Sequence, residues 1–143
     1  MDWEKQILTH YTDNGSTLIA VIPQFAVPPG EYWSIDFVGI DLRSRSLLFI
    51  EVTEAQTPSP GLIDKINRRD EWIPIIRQVL IKNTKVVDDT WQHLTVVFVI
   101  DGRVDWFRKR LKNSHDVVVE PLSNCCPHWL TNKEPRRGEP RLA

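Results

Sequence analysis

Two acidic residues stand inside two apolar segments that are separated by a short polar turn. The segments cover residues 34–40 and 47–53, and both are rich in the β-branched and aromatic residues typical of strands. If the turn is centred on residues 43–44, Asp36 faces Glu51 across the resulting hairpin. Side chains directly opposite each other on one face of a hairpin have Cβ atoms about 5 Å apart. The sequence therefore predicts two neighbouring carboxylates within an apolar sheet.

Burying two neighbouring carboxylates is unfavourable, because both lose hydration and each repels the other. A divalent cation, which prefers hard oxygen ligands, offsets both costs. The structural alternative pairs Asp36 with an arginine and exposes Glu51 on a half-solvated sheet. Leu47 and Phe49 would then share the exposed face, although the alternating residues on the opposite face are apolar as well. Both faces are therefore expected to be covered, which favours a cation as the partner of the carboxylates.

The order of the predicted elements indicates an α/β fold. Hydrophobic patterning predicts a helix, three strands, a helix, a strand, a helix and a strand, over residues 3–11, 17–22, 32–41, 46–53, 59–82, 94–100, 103–112 and 117–119. Pro74 interrupts the long helical pattern, so we expect a kink or two consecutive helices. A meander of three strands followed by a helical crossover predicts a mixed central β-sheet flanked by helices.

Length and composition place the chain among single-domain proteins. We expect one domain over residues 1–121 and a polar, flexible tail over residues 122–143. The sequence contains no run of about 18 apolar residues, so no membrane helix is expected. Its N-terminus lacks the layout of a signal peptide, and Cys125 and Cys126 are adjacent rather than spaced as a disulfide framework. A cytoplasmic location is therefore expected.

The element order, together with Asp36 and the segment Glu51-Val52-Thr53, resembles the PD-(D/E)XK nuclease superfamily. Those proteins carry an Asp on one core strand and a Glu-x-Lys on its hairpin partner. The stretch from Gln24 to Glu54, which includes Ile35-Asp36-Phe37 and Phe49-Ile50-Glu51-Val52, is also similar to very-short-patch repair endonucleases. The resemblance covers residues 1 to about 120 and implies a restriction-endonuclease-like fold.

The resemblance also implies a site and an activity. Asp36 and Glu51 would bind Mg²⁺ or Mn²⁺, with the backbone carbonyl of Val52 as a further oxygen ligand. Position 53 carries Thr where the family has a catalytic Lys, and a threonine hydroxyl can hold a water but carries no charge. Lys65, on the helix that follows, is the expected substitute. The alternative is a nuclease fold that has lost turnover.

Basic residues outside this site are candidates for contacts with DNA phosphates. Arg68 and Arg69 are weaker substitutes for the missing lysine and are assigned here to nucleic-acid binding. On the helix predicted over residues 103–112, we expect a polar surface formed by Arg108, Lys109 and Lys112. Such side chains suit phosphate contacts, which give affinity without sequence information. The alternative is an ordinary solvated face, since the net charge is only −1.

The aromatic residues allow one further interpretation. The chain has six tryptophans, of which Trp33, Trp72 and Trp106 could stack on unpaired bases. The competing interpretation places most of them in the core or at a subunit interface.

Taken as a whole, the sequence predicts a Mg²⁺-dependent, endonuclease-like hydrolase that acts on DNA. Two alternatives stay open at this point. One is a catalytically inactive module of nuclease fold that binds nucleic acid or a protein partner. The other is a subunit of a larger nuclease or transposition assembly; a homodimer is also compatible with the sequence.

Overall fold

A five-stranded mixed β-sheet forms the centre of the structure, a computed structural model that describes residues 5–7, 9, 19–26 and 34–125. The strands are β1 (Ile19–Ala26), β2 (Ser34–Asp41), β3 (Ser46–Val52), β4 (Gln92–Val99) and β5 (Val117–Pro121). The helices are α1 (Pro60–Asn67), α2 (Arg69–Thr84) and α3 (Val104–Arg108), with 3₁₀ turns at Asp101–Arg103, Ser114–Asp116 and Leu122–Cys125. Residues 5–7 and 9 are also helical.

The strands lie in sequence order across the sheet, from β1 to β5. The first three form an antiparallel meander, whereas β3, β4 and β5 are parallel. Helices α1 and α2 connect β3 to β4, and α3 lies between β4 and β5. The carboxyl ends of the three parallel strands therefore share one edge of the sheet. The predicted α/β fold, a mixed sheet with flanking helices, is confirmed.

The β2–β3 hairpin has the predicted register. Ile40 pairs with Leu47, and Phe37 pairs with Ile50. Residues 42–45 form the turn, in which the carboxylate Oδ1 of Asp41 accepts hydrogen bonds from the two N–H groups of residues 43–44, at 3.0 and 3.2 Å. Because side chains alternate between the two faces of a strand, this register places Asp36 and Glu51 on one face.

Both faces of the sheet are covered by apolar side chains. One face packs against the helices and contains Val38, Ile40, Leu47, Phe49, Val97 and Val99 together with Trp72, Ile76, Leu80 and Phe107. The opposite face contains Phe37, Ile50, Val96 and Phe98 together with Ile7 and Leu122. The ring of Phe49 meets that of Trp72 edge to face, with centroids 5.6 Å apart. Asp36 and Glu51 lie on the helix-covered face, so the half-exposed sheet of the structural alternative is absent from this hairpin.

The long helix predicted after Ser59 is two helices, and the break lies at Arg68 rather than at Pro74. Pro74 lies inside α2 on an exposed side of the helix, where it removes one helical hydrogen bond without ending the helix. The break is stabilised by side chains from the second helix. The indole N–H of Trp72 donates to the carbonyl of Lys65 at 3.0 Å, and the guanidinium of Arg69 donates to the carbonyl of Ile66 at 2.9 Å. These contacts add to the bond that the N–H of Arg68 donates to the carbonyl of Lys65 at 3.2 Å, where α1 ends.

Three other expectations differ from the structure or lie outside its described part. The basic helix predicted over residues 103–112 is shorter, because α3 ends at Arg108. Within the predicted tail, Leu122 and Cys125 are buried against the sheet, while residues 126–143 lie outside the described residues. Most of the predicted helix over residues 3–11 also lies outside them. In the described ranges, no helix is long and apolar enough to span a membrane.

Candidate active site

Asp36 and Glu51 meet where the pairing of β2 and β3 ends, next to the Phe37–Ile50 pair. Each carboxylate accepts a hydrogen bond from the backbone of the opposite strand. The N–H of Val52 donates to Oδ2 of Asp36 at 2.9 Å, and the N–H of Asp36 donates to Oε2 of Glu51 at 3.2 Å. The two side chains thus replace backbone hydrogen bonds and keep the carboxylates close together, as the sequence predicts.

Lys65 on α1 completes this group. Its Nζ lies 3.0 Å from Oε1 of Glu51 and also donates to the carbonyl of Ser34 at 2.9 Å. The local sequence explains the placement, because Ser59 caps α1 by accepting from the N–H of Leu62 at 3.1 Å. That start fixes the rotation of the helix, which buries Ile66 completely and leaves its neighbour Lys65 at the border of the sheet. The structure therefore brings together the two predicted carboxylates and the predicted substitute lysine.

Burial makes Glu51 an unusual carboxylic acid. The residue is 3% exposed, and desolvation is the largest of the effects that raise its pKa from 4.5 to about 7. The ammonium group of Lys65 opposes this rise, and the negative charge of Asp36 adds to it. Near neutral pH, Glu51 therefore divides between its protonated and ionised forms. With both carboxylates ionised, Lys65 supplies one positive charge against two negative charges.

Val52 contacts this group through its N–H, whereas Thr53 lies beside it and makes different contacts. The N–H of Thr53 donates to the carbonyl of Phe98 at 2.9 Å, which continues β3 alongside β4. Its Oγ1 accepts from the N–H of Ala55 at 3.2 Å. Within residues 34–125, no hydrogen bond links Thr53 to either carboxylate or to Lys65. The predicted roles of the Thr53 hydroxyl and the Val52 carbonyl stay predictions.

The two arginines considered as substitutes for the missing lysine have other partners. Arg68 is exposed and pairs with Glu71 at 2.9 Å and Asp64 at 3.3 Å. Arg69 is 6% exposed, and its Nε donates to both carboxylate oxygens of Asp116 at 3.0 and 3.1 Å. A phosphate contact by Arg69 would require this buried ion pair to open. Among the described residues, the cation paired with Glu51 is Lys65.

The predicted DNA-contacting residues near α3 differ in their surroundings. Arg108 lies 3.5 Å from Asp105 and donates to the carbonyl of Val119 at 3.1 Å. Lys109 and Lys112 are exposed, and no side-chain partner for either occurs within residues 34–125. These two lysines are the better placed to contact a ligand, and their role in DNA binding stays a prediction.

A network of hydrogen-bonded polar side chains on the helix-covered face was not predicted from the sequence. Asp116 bonds to Arg69 and also to Nε2 of His93 at 3.2 Å, while Nδ1 of His93 lies 3.2 Å from Nη2 of Arg77. Because an arginine donates but does not accept, Nδ1 accepts and Nε2 carries the proton that is given to Asp116. Burial raises the pKa of Asp116, but the hydrogen bonds from Arg69 and His93 outweigh it and hold that pKa below its usual value.

The hydrogen-bonded residues Arg69, Asp116 and His93 border a cleft of about 360 Å³ that is also lined by Ile73 and Lys112. Both ring nitrogens of His93 are hydrogen-bonded, so neither is available as an acid or base. These hydrogen bonds hold α2 against β4. Only the presence of a histidine within a strand could have signalled it. Its partners are far apart in the sequence, which hides the cluster from local patterning.

The described ranges contain no group of three or more His, Cys, Asp or Glu side chains that could hold a metal ion. A metal bound here would therefore depend on two carboxylates plus backbone, water or substrate oxygens. Comparison with known proteins adds no further assignment, because no protein family and no curated protein matches the chain.

Proposed function

We propose that this chain is a metal-dependent nuclease that hydrolyses DNA phosphodiester bonds at a site formed by Asp36 and Glu51. The observation that carries the proposal is the position of Lys65, whose Nζ lies 3.0 Å from Oε1 of Glu51. Paired carboxylates with an adjacent lysine are the combination that the resemblance to PD-(D/E)XK nucleases implies. In this chain α1 supplies the lysine, and Thr53 stands at the family's usual lysine position.

The donor set fits the proposed cation. Mg²⁺ is usually held by one or two carboxylates, while water and substrate phosphate supply its other oxygens. Asp36 and Glu51 offer such a pair, and the carbonyl of Val52 is proposed as a third oxygen. The pKa of about 7 at Glu51 indicates that Lys65 alone does not offset burial and the charge of Asp36. An additional positive charge at this point would therefore be stabilising.

The metal ion and the side chains would have different roles in hydrolysis. When bound, Mg²⁺ or Mn²⁺ would offset charge on the phosphate and lower the pKa of an attacking water. Lys65 would hold Glu51 in orientation and place its positive charge beside the reacting phosphate. Thr53 accepts from Ala55 and keeps its own O–H proton, which could be donated to a water molecule.

A second candidate function is favoured by the same ion pair. Lys65 bonds to both Glu51 and the carbonyl of Ser34, so it fills the space next to the carboxylate with a cation of the chain itself. The reciprocal backbone hydrogen bonds of Asp36 and Glu51 also give both carboxylates a structural role. Such a protein would be an inactive module that binds nucleic acid or a protein partner.

Metal titration separates the two functions. Isothermal titration with Mg²⁺ or Mn²⁺, with and without a DNA oligonucleotide, is carried out on the wild type and on Asp36→Asn and Glu51→Gln. Glu54→Gln, which changes an exposed carboxylate just beyond β3, is the matched control. If the protein is a nuclease, the wild type and the control should bind the metal and both site variants should not. The wild type and the control should also cleave plasmid DNA, and the site variants should not.

The inactive module gives a different result. Wild-type protein that binds no metal even with DNA present would refute the nuclease, and retained DNA binding would then support the module. Cleavage that persists in Asp36→Asn would refute the assignment of the site.

We also infer a cytoplasmic location. Cys125 and Cys126 are adjacent in the sequence rather than spaced as a disulfide framework, which is compatible with a reducing compartment.

A further inference from the structure

A groove lies between α1, with the loop that precedes it, and α3. Pro58, Pro60 and Ile63 line one wall, and Trp106 and Arg110 line the other. Its volume of about 370 Å³ lies within the range of small-ligand sites, roughly 300–1,000 Å³. The walls offer rings, short apolar side chains and one guanidinium group, which favours a flat ligand.

The groove is braced at both ends. At one end, Nε of Arg103 donates to the carbonyl of Gln56 at 2.6 Å, which ties the turn before α3 to the loop after β3. At the other end, Nδ2 of Asn67 donates to the carbonyl of Arg110 at 3.0 Å, and the N–H of Lys112 donates to Oδ1 of Asn67 at 2.8 Å. The two walls are thus held at a fixed separation, so a ligand would not have to order them first.

Positive charge is concentrated at the aromatic wall. The guanidinium carbons of Arg110 and Arg103 lie 3.8 and 5.9 Å from the centroid of the Trp106 ring. Lys109 is exposed nearby in the sequence, with no side-chain partner within residues 34–125. Asp64 on the opposite wall is paired with Arg68, which reduces its negative field. Planar groups and cations together suit a base attached to a phosphate backbone.

The groove and the candidate active site lie on opposite sides of α1. The loop after Thr53 leads directly to Thr57 and Pro58, which line the groove. Helix α1 carries Lys65 beside Glu51 and Ile63 in the groove, so the two places are separated by about one helix diameter, roughly 10 Å. A strand that crosses α1 with one phosphate at the carboxylates could therefore place a nearby base in the groove.

We infer that the groove between α1 and α3 binds an unpaired base of a DNA strand, stacked against the Trp106–Arg110 pair. This inference rests on the proposed function for the choice of DNA as the ligand. It names the substrate class of that site as DNA with a single-stranded segment, in which a base is free to leave the helix.

Fluorescence anisotropy in EDTA tests the inference without cleavage. The probes are labelled oligodeoxythymidine, an abasic strand with the same number of phosphates, and a blunt duplex. The wild type should bind oligodeoxythymidine about tenfold more tightly than the abasic strand, since stacking of one base is worth that much. Trp106→Leu should bring the ratio close to one and leave affinity for the abasic strand and the duplex unchanged.

Two further variants keep the test decisive if Trp106→Leu fails to fold. Arg110→Gln, on the exposed side of the stack, should weaken binding of oligodeoxythymidine more than binding of the abasic strand. Lys109→Gln is the matched control, which should weaken both equally because it changes only charge. Equal affinity of the wild type for the two strands, a ratio unchanged in the variants, or no binding of either strand would overturn the inference.

The outcome is separable from that of the proposed function. Base-dependent binding by a protein that binds no metal would support base binding in the groove and refute the proposed nuclease function. Metal-dependent cleavage without base-dependent binding would do the reverse.

Discussion

Replacing Glu51 by Gln removes a buried carboxylate whose pKa the fold raises from 4.5 to about 7. Because the folded pKa is the higher one, the folded protein retains a proton that the unfolded chain has released at intermediate pH. The stability that Glu51 contributes is therefore complete below pH 4.5 and is lost as the pH rises through about 7. Each pH unit of difference corresponds to about 1.4 kcal/mol, so ionisation of Glu51 lowers the free energy of unfolding by about 3 kcal/mol.

Urea denaturation in EDTA between pH 4.5 and pH 8 measures this effect. The free energies of unfolding of the wild type and Glu51→Gln should be close at the acid end. The variant should then become more stable than the wild type by about 3 kcal/mol at the alkaline end, since the titration of other groups cancels in the difference. The ion pair with Lys65 is already included in this value, because it is one of the effects that set the pKa.

Glu71→Gln provides a control of opposite sign. Hydrogen bonds from Arg68 hold the pKa of Glu71 below its usual value, so this variant should lose stability relative to the wild type as the pH rises. A difference for Glu51→Gln that is flat, or that also falls with pH, would mean that Lys65 outweighs burial. The account of an under-compensated carboxylate would then be wrong.

Three other measurements test separate parts of the structure. Affinity for Mg²⁺ should rise by about tenfold per pH unit below pH 7 and level off above it, because a protonated Glu51 must release its proton; a pH-independent titration would contradict this. Thr95→Val should raise the free energy of unfolding by about 1 kcal/mol in urea, because among the described residues the fully buried hydroxyl has no hydrogen-bond partner; destabilisation would indicate a missed partner. Asp116→Asn should lower it by about 3 kcal/mol, since the buried Arg69 loses its counter-charge, and a change below about 1 kcal/mol would show that the pair is dispensable.

The hairpin could be predicted from the sequence because its information is local. Alternation of apolar side chains and a single polar turn allow few registers, and a slip by one residue would move Asp36 to the other face. The choice of Lys65 came from the resemblance to PD-(D/E)XK nucleases, and only the start of its helix, at Ser59 and Pro60, followed from local patterning.

The parts that could not be predicted depend on contacts between distant residues. The helix break at Arg68 is stabilised by Trp72 and Arg69, whereas the sequence drew attention to Pro74. The hydrogen bonds from Arg69 through Asp116 to His93 join three elements, and no spacing rule in the sequence connects these residues. Arg69 therefore reads as a surface residue in the sequence and is buried in the fold.

The same contact supports both proposed functions, and the reason is electrostatic. Two carboxylates near each other on a buried face require positive charge whether or not they ever bind a metal. Lys65 supplies part of it, which lets the protein fold before any ligand arrives. With Lys65 in place the pKa of Glu51 is still about 7, and burial is the largest cause of that rise. A bound cation would offset the burial of the ionised carboxylate, whereas without a cation Glu51 can hold a proton near neutral pH. Metal titration of the wild type therefore decides between the two functions.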